Sequence, residues 1–156
     1  MSTTEQPLIL IVDDDGPMRR AASRLLGLAA VKSLQAASPS EALELVAREP
    51  GIVGMLIDLE MPEMDGVELM QRVSAIRPDM KMGLWSASDR LMTLTPEDLA
   101  PARFALAKGG STSTLVRTVR RALLGLRDEQ LRDPLESGFV LRDAAKKAIK
   151  NGSDHE

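Results

Sequence analysis

MLIDLEMPEMDG, residues 55–66, joins a short apolar run to an acid and then to turn chemistry. Met55, Leu56 and Ile57 form the run, Asp58 ends it, and Glu60, Pro62 and Asp65-Gly66 follow. An apolar run of this length bounded by turn residues suits a buried strand. Asp58 then stands at the carboxyl edge of a sheet, where open α/β folds bind their ligands. The alternative is purely structural: a strand whose terminal Asp caps a turn. These twelve residues do not separate the two readings. What the other segments bring to the same edge does.

Toward the N-terminus, residues 1–6 are polar and expected to fray. Leu8 to Val12 (LILIV) is unbroken and apolar, as in a strand buried on both faces of a parallel sheet. It runs into Asp13-Asp14-Asp15-Gly16-Pro17. Three adjacent carboxylates repel one another unless a cation sits among them, and an oxygen-ligand site for Mg²⁺ is the economical explanation. A second role is compatible with it, in which Asp15 caps the next helix with Pro17 in its first turn. Met18 to Ala29 follows as that helix, with Met18, Ala21, Ala22, Leu25 and Leu26 on one stripe and Arg19, Arg20 and Arg24 facing out.

Val31 to Ala37 is a weaker strand, and Ser38-Pro39-Ser40-Glu41 opens a helix that Pro50-Gly51 closes. Ile52 to Ile57 delivers Asp58. Met64 to Ile76 carries Val67, Met70, Val73 and Ile76 at helical spacing, with its methionines read as core filler. Met80 to Trp85 is a fourth strand, ending in Ser86-Ala87-Ser88. Thr95 caps a short helix over Pro96 to Ala100. Phe104 to Ala107 is a fifth strand, ending in Lys108-Gly109-Gly110. Thr112 to Leu126 closes the unit as a helix with Leu115, Val119, Leu123 and Leu126 inward and Arg117, Arg120 and Arg121 outward. Strand and helix alternate five times, which gives an α/β class: a doubly wound, five-stranded parallel sheet with right-handed crossovers. All strand ends then share one rim, so Asp13, Asp14, Asp58, Ser86 and Lys108 converge there.

Composition narrows the function classes. At 44% hydrophobic and 156 residues the chain has room for one real core. Aromatics are only 2% and there is no Tyr, so Leu, Val, Ile, Ala and nine Met must fill that core. A chain without Cys has neither disulfides nor a thiolate metal site and suits a reducing cytoplasm. A net charge of −3 argues against a nucleic-acid surface. No signal peptide and no membrane-spanning run is legible.

LILIVDDD, LIDLEMPEMDG, Ser86-Ala87 and Lys108, in this order and near these spacings, resemble the receiver domain of two-component response regulators. The resemblance covers residues 7–126 and, as a set, is specific. It implies a flavodoxin-like strand order of 2-1-3-4-5. It also implies that Asp58 accepts a phosphoryl group from a phosphohistidine on a sensor histidine kinase or histidine phosphotransfer protein. By position, Asp13 and Asp14 match the acidic pair that holds Mg²⁺ together with Asp58 and the Glu60 backbone carbonyl. Ser86 matches the switch hydroxyl, and Lys108 the lysine that pairs with phosphoryl oxygens. The protein is then not an enzyme in its own right but a phosphoacceptor that assists its own Mg²⁺-dependent phosphorylation and dephosphorylation.

Departures from the pattern fall on the output side. Gly109 follows the lysine where the family usually has proline, so either the loop is rebuilt or glycine's backbone freedom replaces the constraint. Ala105 occupies the aromatic switch position, and neighbouring Phe104 alternates to the other sheet face. The stretch LMTLTPEDLAPARF does not suit a long fourth helix. Residues 127–156 are expected to form an extension, with an amphipathic helix over 139–150 that packs in cis, on a partner or between two copies as a homodimer. It is too short for a DNA-binding output domain, so a downstream protein target is expected. Two classes stay open: a phosphoacceptor signalling by protein contact or onward relay, and a receiver-like interaction module independent of phosphorylation.

Overall fold

The computed structural model describes residues 8–126. The extension at 127–156 and its expected helix at 139–150 lie outside the described residues. In chain order the elements are β1 (Leu8–Val12), α1 (Gly16–Leu28), β2 (Lys32–Ala36), α2 (Pro39–Arg48), β3 (Ile52–Ile57) and α3 (Gly66–Ile76). There follow β4 (Lys81–Ser86), a 3₁₀ turn at Asp89–Thr93, α4 (Pro96–Leu99), β5 (Ala102–Ala107) and α5 (Thr112–Thr118), which runs into a π turn at Val119–Leu123.

Capping chemistry sets where each helix begins. Asp15, Ser38, Asp65, Thr95 and Ser111 are the N-caps of α1 to α5, each accepting a backbone N–H with its side chain. Pro17, Pro39 and Pro96 sit in first turns, where a missing N–H costs nothing. The Asp65 cap moves the start of α3 two residues beyond the Met64 expected from periodicity.

All strand pairs are parallel and the order is β2-β1-β3-β4-β5, as the resemblance implied. Helices α1 and α5 cover one face, where Ile9, Ile11, Leu56, Phe104 and Leu106 meet Ala22, Leu26, Leu115 and Val119. The other face packs Leu10, Val12, Met55, Ile57 and Leu84 against α2 and α3, and Leu91, Leu94 and Leu99 extend that layer. Alternation therefore sends Phe104 and Ala105 to opposite faces, as expected.

Helix α5 departs from its expected form. Leu115, Val119 and Leu123 are buried, but the helix ends at Leu124, short of the expected Leu126; Gly125 turns the chain at φ 65°, and Leu126, beyond that turn, is 36% exposed. Arg117, expected outward, is buried, and Arg120 donates to the Ala29 carbonyl at 2.6 Å. Ala21 on α1 is exposed, so the stripe there is narrower than read. No helix among the described residues is long and apolar enough to cross a membrane.

Candidate functional site: an acidic rim with one ammonium

Backbone hydrogen bonds carry the strand ladder past the strand ends and so place the rim. Asp58 N donates to Val12 O at 2.9 Å, Asp13 N to Ala36 O at 3.1 Å and Lys108 N to Ser86 O at 2.9 Å. Val12 and Ile57 are register partners, which sets Asp13 beside Asp58 at the crevice where the chain changes winding direction. Gly66 allows the return of the chain. Its N donates to Leu59 O at 2.8 Å, and a Cβ there would lie 2.5 Å from the Asp58 carbonyl oxygen.

Asp13 and Asp58 are buried and Asp14 is exposed, yet one carboxylate oxygen of each lies within 4.8 Å of the others. Lys108 Nζ reaches Asp13 Oδ2 at 2.7 Å and Asp58 Oδ1 at 3.5 Å, and stands 5.1 Å from the Trp85 ring centre. Three carboxylates against one ammonium leave two negative charges when all four groups ionise. A divalent cation matches that surplus, and an all-oxygen donor set suits Mg²⁺ rather than a softer metal. Burial and the neighbouring Asp13 push the Asp58 carboxyl up to about 7, against the opposing pull of Lys108 and the Glu60 amide. A second positive charge at this spot favours the carboxylate.

Asp13 is held in place from two sides. Its Oδ1 accepts from Asp15 N at 2.9 Å, and its carbonyl accepts from Arg19 Nη1 at 2.7 Å. Arg19, read from periodicity as a solvated charge, is thus part of the support. Ser86 is the last residue of β4 and is buried; its Oγ accepts from Ser88 N at 3.0 Å. That bond leaves the hydroxyl proton available for donation. All peptide bonds among the described residues are trans. Gly109 does not use the left-handed region, and the turn after Lys108 closes by Gly110 N donating to Ala107 O at 3.3 Å.

Sequence reading missed the layer around Glu60. The Glu60 carboxylate accepts from Ser88 Oγ and Arg90, and Arg90 also reaches Asp65. The Asp65-x-x-Glu68 spacing was a legible capping signal, but nothing in the pattern paired positions 60 and 90.

Residues 9–120 match the family model of the response regulator receiver domain. The chain belongs to the response regulator receiver family. Among its relatives, the response regulator receiver protein CpdR of Brucella abortus is 32% identical over 117 residues, which are 74% of this chain and 96% of that protein. The C4-dicarboxylate transport transcriptional regulatory protein DctD of Rhizobium meliloti is 33% identical over 117 residues. There the receiver spans 74% of this chain but only 25% of the relative's length. Among solved structures, the response regulator protein TrrA of Thermotoga maritima superposes with a TM-score of 0.70 at 22% identity, covering 76% of this receiver and all of that chain, which shows a shared fold. As a member of this family, the receiver is a phosphoacceptor of two-component signalling.

Proposed function

We propose that Asp58 is the phosphoacceptor, with Mg²⁺ held by Asp13, Asp14, Asp58 and the Glu60 backbone carbonyl. The observation that carries this reading is the three-carboxylate cluster with the Lys108 ammonium lying between Asp13 and Asp58. The donor is a phosphohistidine of a sensor histidine kinase or phosphotransfer protein. An Asp58 carboxylate oxygen attacks phosphorus, the new P–O bond forms as the P–N bond breaks, and the imidazole nitrogen leaves with the electron pair. When bound, the cation supplies charge neutralisation at the nucleophile and at the phosphoryl oxygens.

The chain's own groups do the rest. A carboxyl with a pKa near 7 is protonated in part at neutral pH, and only the ionised form can attack. Lys108 favours that form now and, with its ammonium already at the rim, stabilises the equatorial oxygens during transfer. Ser86 donates its free proton to the acyl phosphate, which adds charge and acceptor oxygens where the Asp58 carboxylate stood. Residues 7–126 form the receiver unit and 127–156 the extension; the output is contact with a cytoplasmic protein target or onward relay.

The test is uptake from a small phosphodonor, read by intact mass. The parent should gain one phosphoryl group in Mg²⁺ and none in chelator, and Asp58→Asn should gain none in either. One full equivalent on the Asp58→Asn protein places the nucleophile elsewhere.

A further inference from the structure

The connection from Leu59 to Asp65 carries the Glu60 carbonyl assigned above to the cation, so its shape bears on the site. Its acidic side chains are engaged elsewhere. The two Glu60 carboxylate oxygens each accept from Arg90 Nη1 at 3.2 Å, and Oε1 also accepts from Ser88 Oγ at 2.9 Å. Arg90 Nη2 donates to Asp65 Oδ2 at 3.0 Å, while the other oxygen of Asp65 caps α3 through Glu68 N at 3.0 Å. One guanidinium therefore grips both ends of the connection. Partial burial works to raise the Asp65 carboxyl, but the Glu68 amide and Arg90 outweigh it and hold the group below its usual range.

Arg90 is itself anchored. Its amide donates to Ser88 Oγ at 3.1 Å, and the Ser88 amide donates to Ser86 Oγ at 3.0 Å. On the opposite flank Ser40 Oγ donates to Glu63 Oε1 at 2.7 Å. Glu63 has φ 77°, a left-handed conformation that a residue with a Cβ adopts only when its surroundings impose it. The connection is thus bent against local preference and braced from both sides.

We propose that Arg90 is a positioning residue for the cation: by bridging Glu60 and Asp65 it holds the 59–65 connection with the Glu60 carbonyl turned to the acid cluster before the ion arrives. The inference rests on the metal reading given above. Such pre-organisation raises affinity by removing the cost of ordering the ligand on binding. Exposed ion pairs contribute little to global stability and are screened by salt, so the mark of this clamp is local order and cation affinity. The forked guanidinium matters because a lysine ammonium is a point charge that engages one carboxylate well.

Calorimetric Mg²⁺ titration of the full chain at low salt should show Arg90→Ala binding about tenfold more weakly than the parent, with Arg90→Lys between them. The gap should narrow at high salt. In metal-free protein, amides of residues 59–65 should exchange faster in Arg90→Ala while the rest of the sheet and the Tm stay unchanged. Equal affinity with unchanged exchange at 59–65 overturns the clamp and leaves the metal site standing. Faster exchange across the whole sheet with a lowered Tm also overturns it, since Arg90 is then only a structural prop. A parent that takes up no Mg²⁺ overturns the metal reading and this inference together.

Discussion

The acidic rim and the β4–α4–β5 side are built by different means. At the rim, Asp13, Asp58 and Lys108 are fixed by backbone bonds that prolong the strand ladder and by an ion pair of 2.7 Å. Strands β4 and β5 are instead held to one another by close packing. Gly83 lies against the Phe104 ring, Ala105 faces the other layer, and α4 is reduced to Pro96–Leu99 behind a 3₁₀ turn. Charge chemistry tolerates few residue types at one place, whereas packing tolerates many combinations of similar volume. The rim is therefore the part that a phosphoacceptor must keep, and the packing of the β4–β5 side is the part with more room to vary.

The largest expected effect separates the two regions directly. A Cβ at Gly83 would penetrate the ring of Phe104, which is fully buried and cannot swing to solvent. Gly83→Ala should cost on the order of 3 kcal/mol in urea unfolding, at the upper end for overpacking. The fraction that folds should still take up phosphate on Asp58. Gly66→Ala should do the reverse, because its Cβ meets the Asp58 carbonyl at 2.5 Å and pushes the strand end and α3 apart. Its folded fraction should bind Mg²⁺ much more weakly than the parent. If folded Gly83→Ala protein accepts no phosphate, the regions are not separable.

A smaller effect concerns the charge held at the rim. The Asp58 carboxyl stands at about 7 in the folded protein, against an unfolded value of about 4. Between these values the folded state holds more protons than the unfolded state, so the metal-free protein loses stability as pH rises from 4 to 7. Above 7 both forms are ionised and the loss levels off. Asp58→Asn removes this term. Its Tm should equal the parent's near pH 4, exceed it by several degrees above pH 7, and lose most of that lead when Mg²⁺ is added to the parent. A constant Tm difference across the range would mean that the strain lies in packing and not in the charge.

How far each region could be read from sequence follows the same division. Asp13, Asp14, Asp58, Ser86 and Lys108 were legible because a parallel sheet sends every strand's carboxyl end to one rim, whatever the loops do. Asp15 and Ser38 were legible as caps because a cap is a local pattern. Arg90 was not, since it sits in an irregular turn and its partners are 25 and 30 positions away. The π turn was hidden because Leu115, Val119 and Leu123 keep a spacing of four that an undisturbed helix also shows. The inward placement of Arg117 had no signal at all, because charge alone argues for solvent.

The smallest expected effect asks whether the rim speaks to the β4–β5 side, and Trp85 can report it. The indole is buried between α1 and α5, against Leu106, and the Lys108 ammonium lies 5.1 Å from the ring centre. One residue on, Ser86 faces the rim and holds the Ser88 amide through its Oγ. Phosphorylation of Asp58 therefore reaches Trp85 by two routes. Drawing Lys108 from Asp13 toward the phosphoryl oxygens changes the charge above the ring directly. Recruiting the Ser86 hydroxyl shifts the last residue of β4 and moves the ring through the shared backbone. Ala105 has no ring to swing, so no third route runs through the usual aromatic position. The parent should show a change in Trp85 emission on phosphorylation, and Ser86→Ala, still competent to take up phosphate, should show a reduced one. The remainder belongs to Lys108 and should appear in phosphorylated protein but not with Mg²⁺ alone, since the ion leaves no phosphoryl oxygen for the ammonium to follow. An undiminished change in Ser86→Ala assigns the whole response to Lys108 and takes the hydroxyl out of the coupling. An abolished change assigns it to the β4 backbone, and then the rim and the packed side are joined through Ser86 alone.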